Sequence, residues 1–310
     1  MSTLMLKGPY WVVACQHRRV LWAVPALLGA SLIAMIALRA WSRNPEFEPI
    51  DASVEYEVWE FLRLCIMYSG RTLPFLPLLV GALVAGPMVA RELESGTWRL
   101  ALTQSTTAKA WLGSKVLVAA VVSVFGSLAL IGIYRLGWVR VSDTSSLHWY
   151  ERGVYEATGP VLVGYCLLGV ALGTLVGQLI RRTLPAMAVT GLLTGLVLLV
   201  LGALRWSFLP MVTATAPYTV EPESLLSSSV KRGGTGLIST TGERIPGYYC
   251  APEAETRGFC RADVDVTASY ADFHPSSHYW PIQLIETSIL LALAAAALYA
   301  AFRLVRKRHP

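Results

Sequence analysis

Six stretches of the chain are apolar enough and long enough to cross a bilayer. Each runs for 18 to 22 residues with at most one charge, which matches the roughly 20 residues that a membrane-spanning helix needs. The spans are residues 21–38, 72–90, 116–134, 159–180, 183–204 and 281–302. This pattern predicts an all-α polytopic membrane protein with six transmembrane helices.

Three segments outside the spans predict smaller elements. Residues 1–20 mix aromatic and apolar side chains with a cationic end, which is typical of an interfacial helix or simply of a basic flank to span one. Apolar residues recur every three or four positions over 54–68, which predicts an amphipathic helix leading into span two. Residues 205–280 predict an extracytoplasmic loop or cap with a few short strands and little core.

Glycine and proline positions distinguish three of the spans. Span two contains Pro74, Pro77 and Pro87, and proline in a membrane helix frees carbonyl groups that need partners in neighbouring helices or in a wet cavity. Glycine recurs at every fourth residue over 169–177 in span four, and again at 191 and 195 in span five. Such spacing lets helix backbones approach closely, either within the chain or between two subunits.

Composition and charge agree with a membrane protein and suggest its orientation. Hydrophobic residues make up 54% of the chain and charged residues 15%, and the mean hydropathy is +0.51. With a cytoplasmic N-terminus, the inner segments hold thirteen of the 26 cations but only two of the 20 anions. The positive-inside rule therefore predicts that both termini, and residues 303–310 as a basic tail after span six, are cytoplasmic. The orientation of the chain in the membrane explains its basic charge, so this charge does not indicate nucleic-acid binding.

Few residues carry a recognisable chemistry. Gly113-Ser114-Lys115 lacks the upstream glycine and the residue order of a phosphate-binding loop, so no nucleotide site is predicted. The spans contain one acid, Glu286, which we expect to be anchored at the interface or paired with a loop cation; proton coupling is the less favoured alternative. His274 and His278 are one helical turn apart, but Pro275 and the lack of a third ligand disfavour a metal site.

The cysteines predict one structural feature. Cys250 and Cys260 both lie in the predicted extracytoplasmic segment, where the environment of the chain is oxidising. A disulfide between these two residues is therefore a hypothesis. The remaining three cysteines have no spacing that suggests a metal site.

The polar break between spans two and three is the most distinctive segment. Gly96 is the residue type expected just past a helix C-terminus, and Arg91 is spaced to pair with Glu94 while Glu92 points elsewhere. Ser105 or Thr106 is expected to cap the next helix, which enters the membrane near Lys115. Two exposed acids and two tryptophans, Trp98 and Trp111, favour a docking element, but an ordinary loop with basic anchors fits as well.

The amino-acid sequences of several segments resemble those of ABC-2-type ABC transporter permeases, the small six-helix kind common in actinobacteria. The principal match is the run from Gly86 to Thr97 (GPMVARELESGT), with residues 103–105 and Lys115 after it. Further matches occur, in order, at residues 16–18, 76–81, 181–188 and 279–286. Cys15 and residues 274–278 depart from the usual pattern, and the extracytoplasmic segment is not matched well.

This resemblance implies a coupling helix near residues 90–98 that docks on a separate ABC ATPase. The implied ATPase-coupling residues are Arg91, Glu92, Glu94, Gly96 and Thr97. The family organisation implies two ATPase copies and a second permease copy, identical or related, in the bacterial cytoplasmic membrane. ATP and magnesium would bind the ATPase, so this chain is expected to bind no cofactor and to have no enzymatic activity of its own.

Two functions fit this organisation. The first is export of a hydrophobic or amphipathic compound, such as a drug, a natural product or a lipid, by alternating access. The second is an ATPase-coupled sensing or resistance subunit, which would bind a peptide or antibiotic through residues 205–280 without moving it. An intramembrane enzyme is disfavoured because the sequence lacks the paired acids or the nucleophile with its base that such catalysis needs.

Overall fold

The structure, a computed structural model, describes residues 18–42, 52–99, 107–142, 147–217, 226–227, 229–246 and 266–308. The chain divides into two compact units. The membrane unit comprises Met1–Ser142, Arg152–Arg205 and Gln283–Pro310, and the second unit comprises Asp143–Glu151 and Trp206–Ile282. The predicted interfacial helix over residues 1–20 lies almost wholly outside the described residues.

The prediction of six membrane-spanning helices is confirmed. Most of these helices extend beyond the predicted limits because amphipathic turns continue them past the apolar stretch. Five are continuous α-helices: Arg18–Trp41, Ala108–Trp138, Val161–Ile180, Thr183–Leu204 and Tyr279–Arg308. We refer to them as spans one, three, four, five and six.

Span two is the irregular helix. The preceding α-helix Ala52–Thr72 runs into a 3₁₀ turn, Leu73–Phe75, a short α-helix, Leu76–Leu79, a π-helix, Val80–Ala85, and a final α-helix, Gly86–Ser95. Proline has no N–H to donate to the preceding turn, and Pro87 is the second residue after the π-helix. The Gly86 N–H donates to the carbonyl of Gly81, five residues earlier. In a regular α-helix this bond would span four residues, so the turn here is wider than an α-helical turn, and the Gly81 carbonyl still has a partner.

Span four packs directly on the backbone of span two. A Cβ atom added at Gly173 would lie 2.7 Å from both the Gly86 nitrogen and the Ala85 Cβ, and one added at Gly177 would lie 2.9 Å from the Gly86 carbonyl oxygen. One added at Gly169 would lie 2.8 Å from the Pro77 carbonyl oxygen. The glycine repeat of span four therefore serves packing within the chain, which was one of the two predicted uses of such spacing.

The helix Ala52–Thr72 confirms the amphipathic helix that the periodicity predicts. Leu62 and Ile66 are fully buried, whereas Phe61 and Tyr68, two apolar residues of the predicted repeat, are more than half exposed. Leu62 and Ile66 are four residues apart and share one side of the helix, and the Ile66 side chain lies against Gly137 of span three. Periodicity alone does not show how far a neighbouring helix reaches, so it does not separate the buried from the exposed apolar residues.

The second unit contains a four-stranded antiparallel sheet. Its strands are β1, Val212–Pro217; β2, Lys231–Ser239; β3, Arg244–Pro246; and β4, Val266–His274. Their order in the sheet is β1-β4-β2-β3. Tyr270 of β4 lies opposite Thr215 of β1 on one side and opposite Gly236 of β2 on the other. Leu226, Val230 and Ala271 form a buried apolar cluster in this unit. At nine residues each, β2 and β4 are longer than the few short strands that the sequence predicts.

Substituting Gly173 by Ala tests the close contact between spans two and four. The added methyl group has no room, so we expect G173A to lower the free energy of unfolding by about 1–3 kcal/mol, as overpacking does. The measurement is unfolding of the purified chain by sodium dodecyl sulfate in mixed micelles. Gly132→Ala in span three is the matched control, because a Cβ there meets nothing within 4 Å, and equal losses in both variants would contradict this packing.

Candidate functional site

The polar break predicted between spans two and three is the end of a helix with a defined cap. Gly86–Ser95 ends at Gly96, whose φ of 73° is left-handed. A Cβ at Gly96 would meet nothing within 4 Å, so glycine is required here by backbone conformation and not by space. Helical structure resumes over residues 97–99, and the Ser95 and Thr97 hydroxyl oxygens lie 2.9 Å apart. We call this turn, residues 91–97, the junction.

Glu92 connects the junction to span three. Its carboxylate accepts hydrogen bonds from the Lys115 ammonium at 2.6 Å and from the Trp111 indole N–H at 2.9 Å. Lys115 is 2% exposed, and a buried ammonium requires a paired counter-charge. The prediction of two exposed acids is therefore wrong for Glu92, whose side chain is only 17% exposed, because it neutralises a buried lysine that the sequence presents as a basic anchor.

Glu94 connects the same helix end to span five. One carboxylate oxygen accepts from the backbone N–H of Thr183 at 2.8 Å and from its hydroxyl group at 2.5 Å. Thr183 is the first residue of span five, where unpaired backbone N–H groups attract a negative charge. Glu94 is thus a helix-capping group supplied from another helix, and the predicted pairing with Arg91 is replaced by this contact.

The two carboxylates point to different neighbours because two residues turn a helix by about 200°. Glu92 faces span three and Glu94 faces span five, so the junction is hydrogen-bonded on two sides. Span three begins beside it, where the hydroxyl group of Thr107 accepts from the Ala110 N–H at 3.2 Å. Ser105 and Thr106, the predicted caps, lie outside the described residues, and Thr107 is the capping residue.

An elongated apolar cavity of about 940 Å³ opens beside the junction. Spans one, two and three contribute nearly all of its aliphatic lining, which includes Leu28, Val84, Val122 and Leu130. Its polar lining at the junction consists of Arg91, Glu92, Ser95 and Thr97. Small-molecule sites occupy roughly 300–1,000 Å³, so this cavity is large enough for a whole amphipathic molecule.

At the opposite end of the membrane unit, a buried ion cluster joins spans five and six to the short helix Val154–Thr158. The Arg205 guanidinium lies 2.7 Å from Glu156 and 2.9 Å from Glu286, and it stacks 3.8 Å from the centroid of the Tyr155 ring. The Tyr165 hydroxyl of span four donates to Glu286 at 2.6 Å. All three charged residues are at most 6% exposed.

This cluster confirms one expectation and reveals two residues that the sequence did not single out. Glu286 is paired with a cation from the end of span five, as expected for a lone acid at that depth. Glu156 and Arg205 were assigned to polar segments, although each lies within a few residues of a long apolar run. That proximity is the signal that could have found them, because a charge so close to a span must be paired when it is buried.

His274 and His278 lie side by side in the second unit. The Nδ1 atoms of His274 and His278 lie 3.1 Å apart, with His274 fully buried at the end of β4 and His278 in a 3₁₀ helix, Ser276–His278. Among the described residues, no group of three or more metal-ligating side chains is present. The 3₁₀ helix begins directly after Pro275, which agrees with the expected effect of that proline.

The predicted disulfide cannot be located in the described part of the chain. Cys250 and Cys260 lie outside the described residues, so their disulfide stays a prediction. Within the described part of the chain, Cys65 and Cys166 are free thiols, and Cys166 also lines the apolar cavity.

A family model described as ABC-2 membrane transporter related matches residues 20–205, which is more than half of the chain. The chain belongs to this family. The match confirms the resemblance that the sequence pattern indicated and includes spans one to five with the junction. Searches among curated proteins and among solved structures found no match. Together with six membrane-spanning helices, membership identifies a multi-pass membrane permease subunit of a family whose members partner with ABC ATPases.

The Glu92–Lys115 contact in this permease can be tested by removing one charge and then both. Glu92→Gln leaves a buried ammonium without a counter-ion, which for a fully buried pair costs about 3–5 kcal/mol; the partial exposure of Glu92 makes the lower end our expectation. Adding Lys115→Met should restore much of the lost stability. The readout is the free energy of unfolding in mixed micelles, with the exposed Glu94→Gln as a smaller-effect control. A double variant no more stable than E92Q would refute this pairing.

The histidine pair predicts a pH-dependent stability of the second unit. Burial, aided by the neighbouring His278 and Lys231, lowers the pKa of His274, against a smaller opposing hydrogen bond from the His274 ring to the backbone of Trp206. Because the unfolded chain then binds more protons near its usual pKa of about 6.5, stability should rise with pH through this range and fall on acidification below it. Hydrogen exchange in β2 and β4 should be faster at pH 5 than at pH 7.5 after correction for the intrinsic rate. His274→Gln should reduce this difference, and an unchanged difference would contradict the assignment.

Proposed function

We propose that this permease exports a hydrophobic or amphipathic compound, using the ATP hydrolysis of a separate ABC ATPase. Two ATPase copies would bind ATP and magnesium, while this chain would bind no cofactor and carry out no chemistry. A second permease copy, identical or related, would complete the transporter. Membership of the family and the six spans support this assignment, and the observation that carries it is the two-sided bonding of the junction.

The junction can transmit a displacement into the bundle because its carboxylates bind two different spans. Glu92 is bonded to Lys115 and Trp111 of span three, and Glu94 is bonded to Thr183 of span five. Span two in turn packs its backbone on span four. A displacement of residues 91–97 would therefore move spans two to five together, because these contacts do not let the helices slide independently of one another.

The same geometry provides a place where the bundle can bend. The π-helix Val80–Ala85 interrupts the regular hydrogen bonding of span two near its middle, and such irregularities are common at functional sites and kinks. Movement of the junction would alter the width of the cavity between spans one, two and three. In this mechanism, closure of the ATPases changes the access of the cavity from one face of the membrane to the other.

The distribution of charge supports the orientation that docking requires. Arg181 and Arg182 follow span four next to Glu94, and Arg308 near the end of span six donates to the Gln178 carbonyl group at 2.7 Å. The positive-inside rule places such a basic end in the cytoplasm. We therefore assign the junction and both termini to the cytoplasmic face of the bacterial cell membrane, and the second unit to the opposite face.

A sensing role is the second candidate, and the second unit favours it. That unit is folded around an aromatic cluster in which Trp149 contacts Tyr150, Trp206 and Tyr279 at centroid distances of 5.7–5.9 Å. Trp149 itself is buried, but Tyr150, Trp206 and Tyr279 are partly exposed, and such rings suit recognition of a peptide or an antibiotic. If vesicles containing permease and ATPase hydrolyse ATP but move no hydrophobic compound, the sensing role replaces export.

Docking at the junction can be tested with a pair of exposed threonines at the two ends of span two. Thr97→Trp places a bulky ring on the exposed junction and should reduce permease-stimulated ATP hydrolysis by at least about tenfold, because a misfitting side chain at the centre of an interface costs several kcal/mol. Thr72→Trp is the matched control at the far end. The assay uses vesicles in which the permease is reconstituted with its ATPase.

Either of two results would overturn this docking assignment. Stimulation that survives Thr97→Trp would exclude the junction as the contact, and stimulation lost only with Thr72→Trp would reverse the orientation. Glu94 alone is a poorer probe than a surface threonine, because its carboxylate also holds the first turn of span five.

A further inference from the structure

The polar mouth of the apolar cavity carries one cation whose charge is not neutralised. Arg91 lines the cavity and is exposed, and it makes no ion pair within the described part of the chain. Its two neighbouring acids have other partners: Glu92 is bonded to Lys115 and Trp111, and Glu94 to Thr183. Among the described charges that line the mouth, Arg91 is therefore the one left without an ion pair, because Glu92 is already paired with Lys115.

Two hydroxyl groups lie at the mouth beside that charge. Ser95 and Thr97 line the cavity together with Arg91; their hydroxyl oxygens lie 2.9 Å apart, and the Ser95 hydroxyl donates to the Glu92 carbonyl oxygen at 3.5 Å. A guanidinium group offers a planar fork that matches carboxylate and phosphate oxygens. This arrangement complements an oxyanion and disfavours a cationic head group.

The remainder of the cavity complements an aliphatic tail. Leu76 and Arg91 both line it and are fifteen residues apart, which corresponds to about 22 Å along a helix. Its walls are mainly leucine and valine side chains from spans one, two and three, and burial of apolar surface favours occupation of such a space. An apolar cavity of this length with one charged end fits a single extended chain.

We infer that this cavity binds a single-chain anionic amphiphile, with its oxyanion head at Arg91 and its tail between spans one, two and three. The assignment of this molecule as cargo rests on the export proposed above, whereas its binding does not. Arg91 is then a specificity residue that selects anionic over neutral amphiphiles. This role is separate from docking, because it operates in the permease without ATPase.

Photo-labelling of the full-length permease tests this binding. The chain is placed in nanodiscs of phosphatidylcholine without ATPase, and the probe is hexadecanoic acid that carries a diazirine in its tail. We expect cross-links to peptides of spans two and three, and competition by unlabelled hexadecanoic acid but not by hexadecanol. Equal competition by the alcohol would overturn the role of the charged head.

Two variants localise the binding site. Arg91→Gln should weaken labelling by about tenfold to a hundredfold, the range expected for a charge-assisted hydrogen bond, while the exposed cation Lys109→Gln, outside the cavity, should leave labelling unchanged. Val122→Phe should reduce labelling by filling the space, and an unfolding measurement in micelles checks that it folds. Labelling that is insensitive to both Arg91→Gln and Val122→Phe would overturn the site.

Further outcomes distinguish other occupants and separate this inference from the export proposal. Displacement of the probe by phosphatidylglycerol but not by free fatty acid would assign the cavity to a two-chain bilayer lipid and overturn a single-chain ligand. Loss of labelling on dimerisation would assign it to a second copy and overturn it likewise. Failure of labelling with intact ATPase stimulation would overturn the ligand alone, whereas normal labelling without any stimulation would overturn only ATPase coupling.

Discussion

The membrane unit depends on the direct contact between the backbones of spans two and four. Gly173 and Gly177 leave no side chain between the helices, and span two meets them with Ala85 and Gly86. Aliphatic burial drives helices together weakly in lipid, because the surrounding tails are equally apolar. Close backbone approach and satisfied polar groups must therefore supply much of the specificity, and both are present here at defined positions.

Polar contacts at the two ends complete what this backbone contact begins. At the junction, Glu92 and Glu94 bind spans three and five, and at the far end Arg205 joins Glu156 to Glu286. Lys115, Glu156, Arg205 and Glu286 are buried, and each is costly to bury without its partner. A bundle held by contacts at both ends transmits movement from one end to the other. The cavity beside span one is the space whose volume can change.

Much of the fold could be predicted because a bilayer imposes a pattern on consecutive residues. The six spans, the amphipathic helix before span two and the left-handed cap at Gly96 all follow from local chemistry. The sequence predicted where the candidate site lies along the chain but not which residues contact one another there. Arg91, Glu92 and Glu94 were placed at the junction, yet the expected exposure of Glu92 and the pairing of Glu94 with Arg91 were both wrong.

The sequence by itself determined where the chain lies in a membrane and which segment interrupts it, since hydropathy and charge act residue by residue. Only the tertiary structure decided the partners: Lys115 for Glu92 across 23 positions, Arg205 for Glu286 across 81, and Thr183 for Glu94 across 89. Such pairs depend on which helix faces cross, and no local pattern records this. The cavity is a consequence of the same packing, because its walls come from residues of spans that are remote in sequence.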